Sequence, residues 1–241
     1  MPDRTATKQM PKKRSKRYQQ AAAMVEEGKH YPIAEAAALV KKFPGVKFDQ
    51  RVTLSFRLGV DPRKADQMVR GTCPLPHGSG KDVKVVVFAQ GEAAIAAKNA
   101  GADHVGYEDM VKKIREGFYD FDAAIATPEA MAEVRKLGKQ LGPRGLMPNP
   151  KTGTVTEDTA AAVQAVKAGK IDFKVDRNAN VAVPIANVAF DDDKIADNAQ
   201  AVINAVVGAK PPGAKGTYIH SITLTASMSP GIKLDAAAFN N

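Results

Sequence analysis

Val83 to Phe88 reads VKVVVF, a nearly continuous run of β-branched and aromatic residues. Such a run predicts a strand covered on both faces, which requires packing layers on either side of its sheet. The following residues supply candidates for those layers. EAAIAAKNAG from Glu92 is helix-like, HVG at 104–106 is a short strand, and a helical pattern runs over about 108–116. FDAAIA at 121–126 reads as another strand and Pro128 to Leu137 as another helix. LGPRGLMPNPKTGTV at 141–155 is a loop rich in Gly and Pro, and 157–168 is helical up to Gly169. Strand and helix signals in this alternation predict βαβ units and a small three-layer α/β (Rossmann-like) unit.

The outer segments have a different pattern. A helix is expected from about Ser15 to Glu27, with Ala21, Ala22, Met24 and Val25 as its apolar stripe and Gly28 as its stop. A second runs from Ile33 to Lys42 behind Pro32, whose fixed φ suits a helix start, and Phe43-Pro44-Gly45 ends it. Val52, Leu54, Phe56 and Leu58 alternate with polar residues, which predicts a half-buried strand. RGTCPLPHGSGK at 70–81 has no periodicity and reads as a connection. Beyond Gly169 the alternation returns at 171–175, 180–185 and 218–225, around an amphipathic helix at about 192–207 that starts in acidic DDDK. Neither terminal strand system has enough apolar residues for a core of its own. The simplest assembly joins both chain ends into one α+β domain and inserts the middle. Two contiguous domains, split near 78 or near 156, compete evenly with it on periodicity alone.

Charge follows the same division. The 241 residues carry a net +9, yet 78–168 hold 12 basic and 12 acidic residues while the flanks hold 23 and 14. Residues 1–20 alone hold seven Lys or Arg against one Asp, and 1–14 read as a flexible basic arm. Such an excess permits a polyanionic partner, or plain solvation. Trp is absent and aromatics are 6%, which argues against wide stacking platforms for single strands. With Cys73 the only cysteine there is no intrachain disulfide, and a reducing compartment is the natural setting. No apolar run approaches a membrane span, and the basic start lacks the apolar stretch of a secretory signal.

Motifs for catalysis are missing. His30, His77, His104 and His220 stand at no metal-ligand spacing, and one cysteine excludes a Cys-rich zinc site. The Gly-Lys steps at 28–29, 80–81, 138–139 and 169–170 lack the Ser or Thr of a phosphate-binding loop. The expectation is no enzyme, no metal and no cofactor.

Three features point to a ligand. Lys47-Phe48 leads into Arg51 and the strand at 52–58, offering a phosphate contact beside an apolar or stacking surface; the plain alternative tucks Phe48 into the core edge. The loop around Arg144 combines glycines that admit close backbone approach with prolines that hold it rigid; it reads equally as a structural lid. TLTASMS at 223–229 is a strand end rich in hydroxyls, which bond phosphate or ribose 2′-OH, with Met228 able to pack on a sugar or base. It reads otherwise as a solvated edge.

These strings have a familiar order. LGPRGLMPNPKTGTV at 141–155 resembles the signature of the ribosomal protein L1 family of the large subunit. KFDQRV at 47–52, LGVDPRKADQMVRGTCPLPHGSGK at 58–81, QGEAAIAAKNAGADHVG at 90–106, FDAAIATPEAM at 121–131 and GAKGTYIHSITLTASMSPG at 213–231 match it in register. The likeness spans about 15–235, and the first ten or so residues look like an extension of the usual bacterial form. It implies the split arrangement: an RNA-binding domain from 1–77 and 169–241, and an inserted domain at 78–168, joined by a mobile connection. It also implies a cytoplasmic ribosomal protein without catalysis, one copy per ribosome and no membrane partner. Its RNA partner would be large-subunit ribosomal RNA at the mobile side stalk. It would further aid release of deacylated tRNA from the exit site and repress its own messenger RNA; a non-ribosomal regulator of messenger RNA is the alternative.

The family's RNA contacts fall here on Lys47, Phe48, Arg51, Thr53, Asp176, Arg177, Ser221, Ser227, Met228 and Ser229. Four positions depart from the usual pattern. Arg51 stands where Thr is common, Thr53 where Glu is common, Ser227 where Thr is usual, and Ser229 where Gly is usual. The Cβ of Ser229 narrows backbone freedom at that point. For the Arg144 loop, the resemblance implies a structural or stalk-dynamics role.

Overall fold

A computed structural model describes residues 14–239. Most of the proposed basic arm, residues 1–13, lies outside them. Arg14 places its guanidinium 4.9 Å from the centre of the Tyr18 ring. Helix α1 (Lys16–Ala23) is capped by the Ser15 hydroxyl, which accepts from the Tyr18 amide, and α2 (Ile33–Lys42) starts behind Pro32 at φ −65°. Strand β1 (Arg51–Leu58) follows.

One expectation fails next. The supposed connection at 70–81 opens with a strand, β2 (Arg70–Pro74). It pairs antiparallel with β6 (Lys170–Lys174), some hundred residues on, Gly71 facing Phe173. A Cβ on Gly71 would stand 2.8 Å from Phe173 Cζ, so the glycine makes room for a ring. Local composition signals a turn, but the distant partner imposes the strand.

The middle of the chain runs β3 (Val85–Phe88), α3 (Gly91–Asn99), β4 (His104–Gly106), α4 (Glu108–Arg115) and β5 (Ala123–Ala126). The helix expected over 128–137 is instead broken. Short α5 (Met131–Val134), a 3₁₀ turn at Arg135–Leu137 and α6 (Gly138–Leu141) carry the chain to Gly142. Then comes α7 (Thr159–Lys167), with Asp158 accepting from the Ala161 amide. The strands form a parallel sheet in the order β4-β3-β5. All four residues of β3 are buried, and the strand period divides them. Val85 and Val87 pack with Ala97 of α3 and Val163 of α7. Val86 and Phe88 pack with Ile114 of α4, Val134 of α5 and Leu141 of α6. The sheet is therefore sandwiched between two helical layers.

The C-terminal part adds β7 (Asn180–Asn187), α8 (Asp192–Gly208), β8 (Ile219–Ala226) and β9 (Ile232–Leu234). Their sheet is antiparallel, ordered β7-β1-β8-β9. One face is closed by α2, through Ala36, Ala37 and Val40, and by α8, through Ile195, Ala199, Val202 and Val206. The fully buried members of this core come from residues 21–75 and 173–236, whereas the other two cores draw theirs from 85–166. The fold is thus mixed α/β, with separate sheets and separate cores.

Two chain crossings link these regions, and they touch. A Cβ on Gly169 (φ +98°) would lie 2.5 Å from the Cα of Gly78 (φ +67°). Asn198, fully buried in α8, donates through Nδ2 to the carbonyls of Gly78 (2.9 Å) and Ile185 (2.8 Å). Its Oδ1 accepts from the His77 amide at 3.1 Å. One side chain thereby ties the first crossing to the helix and strand below it.

Candidate nucleic-acid interface

The alternation that buries Val52, Leu54, Phe56 and Leu58 turns Arg51, Thr53, Ser55 and Arg57 to the other face of β1. In β8 the same rule buries Ile222, Leu224 and Ala226 and leaves Ser221, Thr223 and Thr225 half-buried on that face. Register brings them together. Thr53 lies opposite Thr225 and Pro184, Ser55 opposite Thr223 and Ala182, and Arg57 opposite Ser221 and Asn180. The two covering helices sit on the core side. What remains is an open sheet face with two adjacent columns of hydroxyls. Gly231 keeps it clear, since a Cβ there would press to 2.7 Å from Thr223 Cγ2.

The expected site residues occupy the two ends of this face. At one end, the Ser227 hydroxyl accepts from the Arg51 amide at 3.1 Å, and Gln50 Oε1 accepts from the Met228 amide at 3.1 Å. Gln50 is buried and joins Lys47 and Phe48 to the turn that carries Met228. Phe48 is 54% exposed and Met228 52%, so neither is spent on the core. Arg17 of α1 donates to the Met228 carbonyl at 3.2 Å and braces the turn from outside. The Ser229 hydroxyl accepts from the Ala226 amide at 2.8 Å.

The other end is the turn between β6 and β7. Six residues of strand separate Arg51 from Arg57, about 20 Å at the usual rise. Arg177 therefore belongs to the opposite end of the face from Phe48 and Met228. Asp176 shapes this turn, its Oδ1 accepting from the amides of Asn178 (2.8 Å) and Asn180 (2.7 Å). The bond from the Asn180 amide is the main cause holding its carboxyl below the usual carboxylate range. Its charge is thus spent on placing Arg177 rather than on pairing with it.

None of the ion pairs among the described residues uses Lys47, Arg51, Arg57, Arg177 or Lys233. Arg51 and Pro184 also line a cleft shared with Ser79, Lys81, Asp122 and Lys170. Burial pushes the Asp122 carboxyl up. The Lys81 ammonium that it binds, the Lys84 amide and the charge of Arg51 outweigh this and leave it below its usual range. Thr223 and Thr225 belong to the hydroxyl-rich string at 223–229; Ser55, Arg57 and Lys233 carry no such signal of their own, and only the period-2 pattern combined with register finds them. Among the described residues no three His, Cys, Asp or Glu gather where they could hold a metal ion. No helix there is long and apolar enough to cross a membrane.

Residues 40–230 match the model of the Ribosomal protein L1p/L10e family. The chain belongs to that family. It is 54% identical over 226 residues to the large ribosomal subunit protein uL1 of Thermobifida fusca, covering 94% of this chain and 96% of that one. The protein of the same name from Saccharopolyspora erythraea is 54% identical over 223 residues, covering 92% and 94%. The L1p/L10e family is one of ribosomal, structural RNA-binding proteins and not of enzymes.

Two features of this L1p/L10e chain are explained by their surroundings in the fold. Ser229, where the family usually has glycine, does not occupy the left-handed region; among the described non-glycine residues only Ala179 does, at φ +61°. The serine side chain is therefore accommodated without backbone strain. The Gly/Pro loop, in turn, is knit to its own sheet. Leu141 is buried, Leu146 and Met147 pack beside it, and the Arg144 guanidinium lies 3.9 Å from the centre of the Tyr119 ring.

Proposed function

We propose that this chain is a structural constituent of the large ribosomal subunit that grips a folded stem and loop of large-subunit ribosomal RNA at the mobile side stalk. The observation carrying this reading is the open face of the β7-β1-β8-β9 sheet. It has hydroxyls along its middle, unpaired cations at both ends, and exposed Phe48 and Met228 at one end. Hydroxyls at strand spacing meet phosphate and ribose 2′-OH groups across a shallow minor groove. Lys47, Arg51 and Arg177 take phosphates, Phe48 and Met228 pack on a sugar or base, and Thr53, Ser221 and Ser227 contribute hydroxyls, while Ser229 holds the turn that presents Met228. Asp176 acts by holding the turn that presents Arg177.

The same reading divides the chain into an RNA-binding domain of 1–77 and 169–241 and an inserted three-layer, Rossmann-like domain of 78–168. The segregated cores support that division, and the left-handed Gly78 and Gly169 suit a hinge. Motion about it would carry the stalk as deacylated tRNA leaves the exit site, and the same face would bind the protein's own messenger RNA in repression. The setting is the cytoplasmic ribosome.

Filter binding of the full chain to a stalk RNA fragment tests the interface. With about three phosphates neutralised, log affinity should fall with log salt at a slope of roughly −2 to −3. Phe48→Ala should weaken binding about tenfold, and an unaltered affinity would remove Phe48 from the site. Sedimentation with messenger RNA but never with large subunits would favour a free regulator instead.

A further inference from the structure

A groove outside the sheet face opens beside the β6–β7 turn, lined by Pro62, Arg63, Met68, Lys174, Val175 and Arg177, with a volume of ≈ 800 Å³. Its walls carry Arg63, Lys174 and Arg177 against one acid, Asp176, and its floor is apolar. Met68 is 41% exposed although Val69 beside it is buried, and the Val69 carbonyl accepts from the Val175 amide at 2.9 Å to fix this strip against β6. Lys174 stands directly across the ladder from Arg70. Like charges at facing positions of an antiparallel pair oppose its formation, and among the described residues neither has an acidic group at ion-pair distance. Two of the neighbouring acids are otherwise engaged. Asp61 accepts from the Arg63 amide at 3.1 Å, and Asp176 from the amides of its own turn.

Three cations, Arg63, Lys174 and Arg177, thus line the groove around an exposed thioether, and none of them enters an ion pair among the described residues. We propose that this groove is a second RNA contact, seating one unpaired nucleotide on Met68 and its flanking phosphates on Arg63, Lys174 and Arg177. The proposal rests on the RNA-binding reading above and extends it. Arg177 joins the two surfaces, because its turn also ends at Asn180, the register partner of Arg57 on the open face. Methionine suits the floor, since a flexible polarizable side chain packs on any base without choosing among them. RNA approaching over Arg57 would continue past the turn and leave the duplex where the groove begins.

The test compares two variants of the full chain on one stalk RNA carrying an unpaired extension. The double variant Arg63→Ala, Lys174→Ala should lose about tenfold in affinity and flatten the salt slope by about two, one per phosphate contact removed. Its melting temperature should hold or rise, because the facing pair with Arg70 is relieved. Met68→Ala should weaken the extended RNA and spare a blunt one. If Phe48→Ala weakens binding while the double variant keeps wild-type affinity and slope, the groove is not an RNA contact and the sheet-face reading stands. If both variants bind as the wild type does, the sheet-face reading fails as well.

Discussion

The buried Gln50 side chain accepts a hydrogen bond from the backbone amide of Met228, 178 residues away, and so fixes the turn that exposes the thioether. Gln50→Leu would leave that amide without its partner at a half-buried site. The expected cost is about 1–2 kcal/mol of stability, read from a denaturant midpoint. A loss of stalk RNA affinity should accompany it, because Met228 would no longer be held.

Ser229 departs from the family's usual glycine and closes the same turn through the Ala226 amide. Ser229→Gly removes that bond and frees the unfolded chain. Stability should fall by about 1–2 kcal/mol, while RNA affinity stays within about twofold of the wild type. A large change in affinity on titration with stalk RNA would instead mark the hydroxyl as a direct contact.

Gly169 approaches Gly78 too closely for any side chain and sits at φ +98°. Gly169→Ala combines left-handed strain with a clash against backbone, at a cost of roughly 2–5 kcal/mol. Chemical denaturation measures this directly. Ala introduced at Gly117, which is also left-handed but has nothing within 4 Å, carries the strain without the clash and should cost about 1–2 kcal/mol.

Tyr218 is 4% exposed and donates its hydroxyl proton to the Val206 carbonyl at 3.1 Å. Burial pushes its pKa up from 10.0 to about 12. The unfolded chain ionises first, so the folded state keeps a proton that the unfolded state has lost. Stability should therefore decline as pH rises from about 10 to about 12 and lose this dependence beyond. Melting curves of Tyr218→Phe should show a weaker decline over that window, after a constant loss of about 1 kcal/mol for the missing hydrogen bond.

How far residue order alone reaches differs from element to element. Val85 to Phe88 could be assigned to a doubly covered strand because four apolar residues in a row leave no polar face to expose. The strand at Arg51–Leu58 was legible for the opposite reason, a strict alternation. Strand β2 was hidden, since Gly71 and Pro74 imitate a loop and only pairing with Phe173 explains the glycine. Strand β9 alternates buried Ile232 and Leu234 about exposed Lys233, but three residues are too few to set a period apart from chance. At the interface, Lys47-Phe48 and Met228 stand out in the residue order as a basic-aromatic step and a hydroxyl-rich strand end, and the resemblance assigns them to RNA. Ser55 and Arg57 required knowing which strands flank β1.

Sequence by itself determined the two pattern styles, the confinement of excess charge to the outer segments and the family. Each of these is a local or compositional property that any folded form must respect. Tertiary structure decided which hydroxyls share a face and which cations are left without partners. It also placed Arg177 at the far end from Met228 and brought Arg63, Met68 and Lys174 around one groove. Several of those relationships, such as Ser55 with Thr223 and Arg63 with Lys174, join residues more than a hundred positions apart. They are set by strand register and packing, for which the chain carries no local signal.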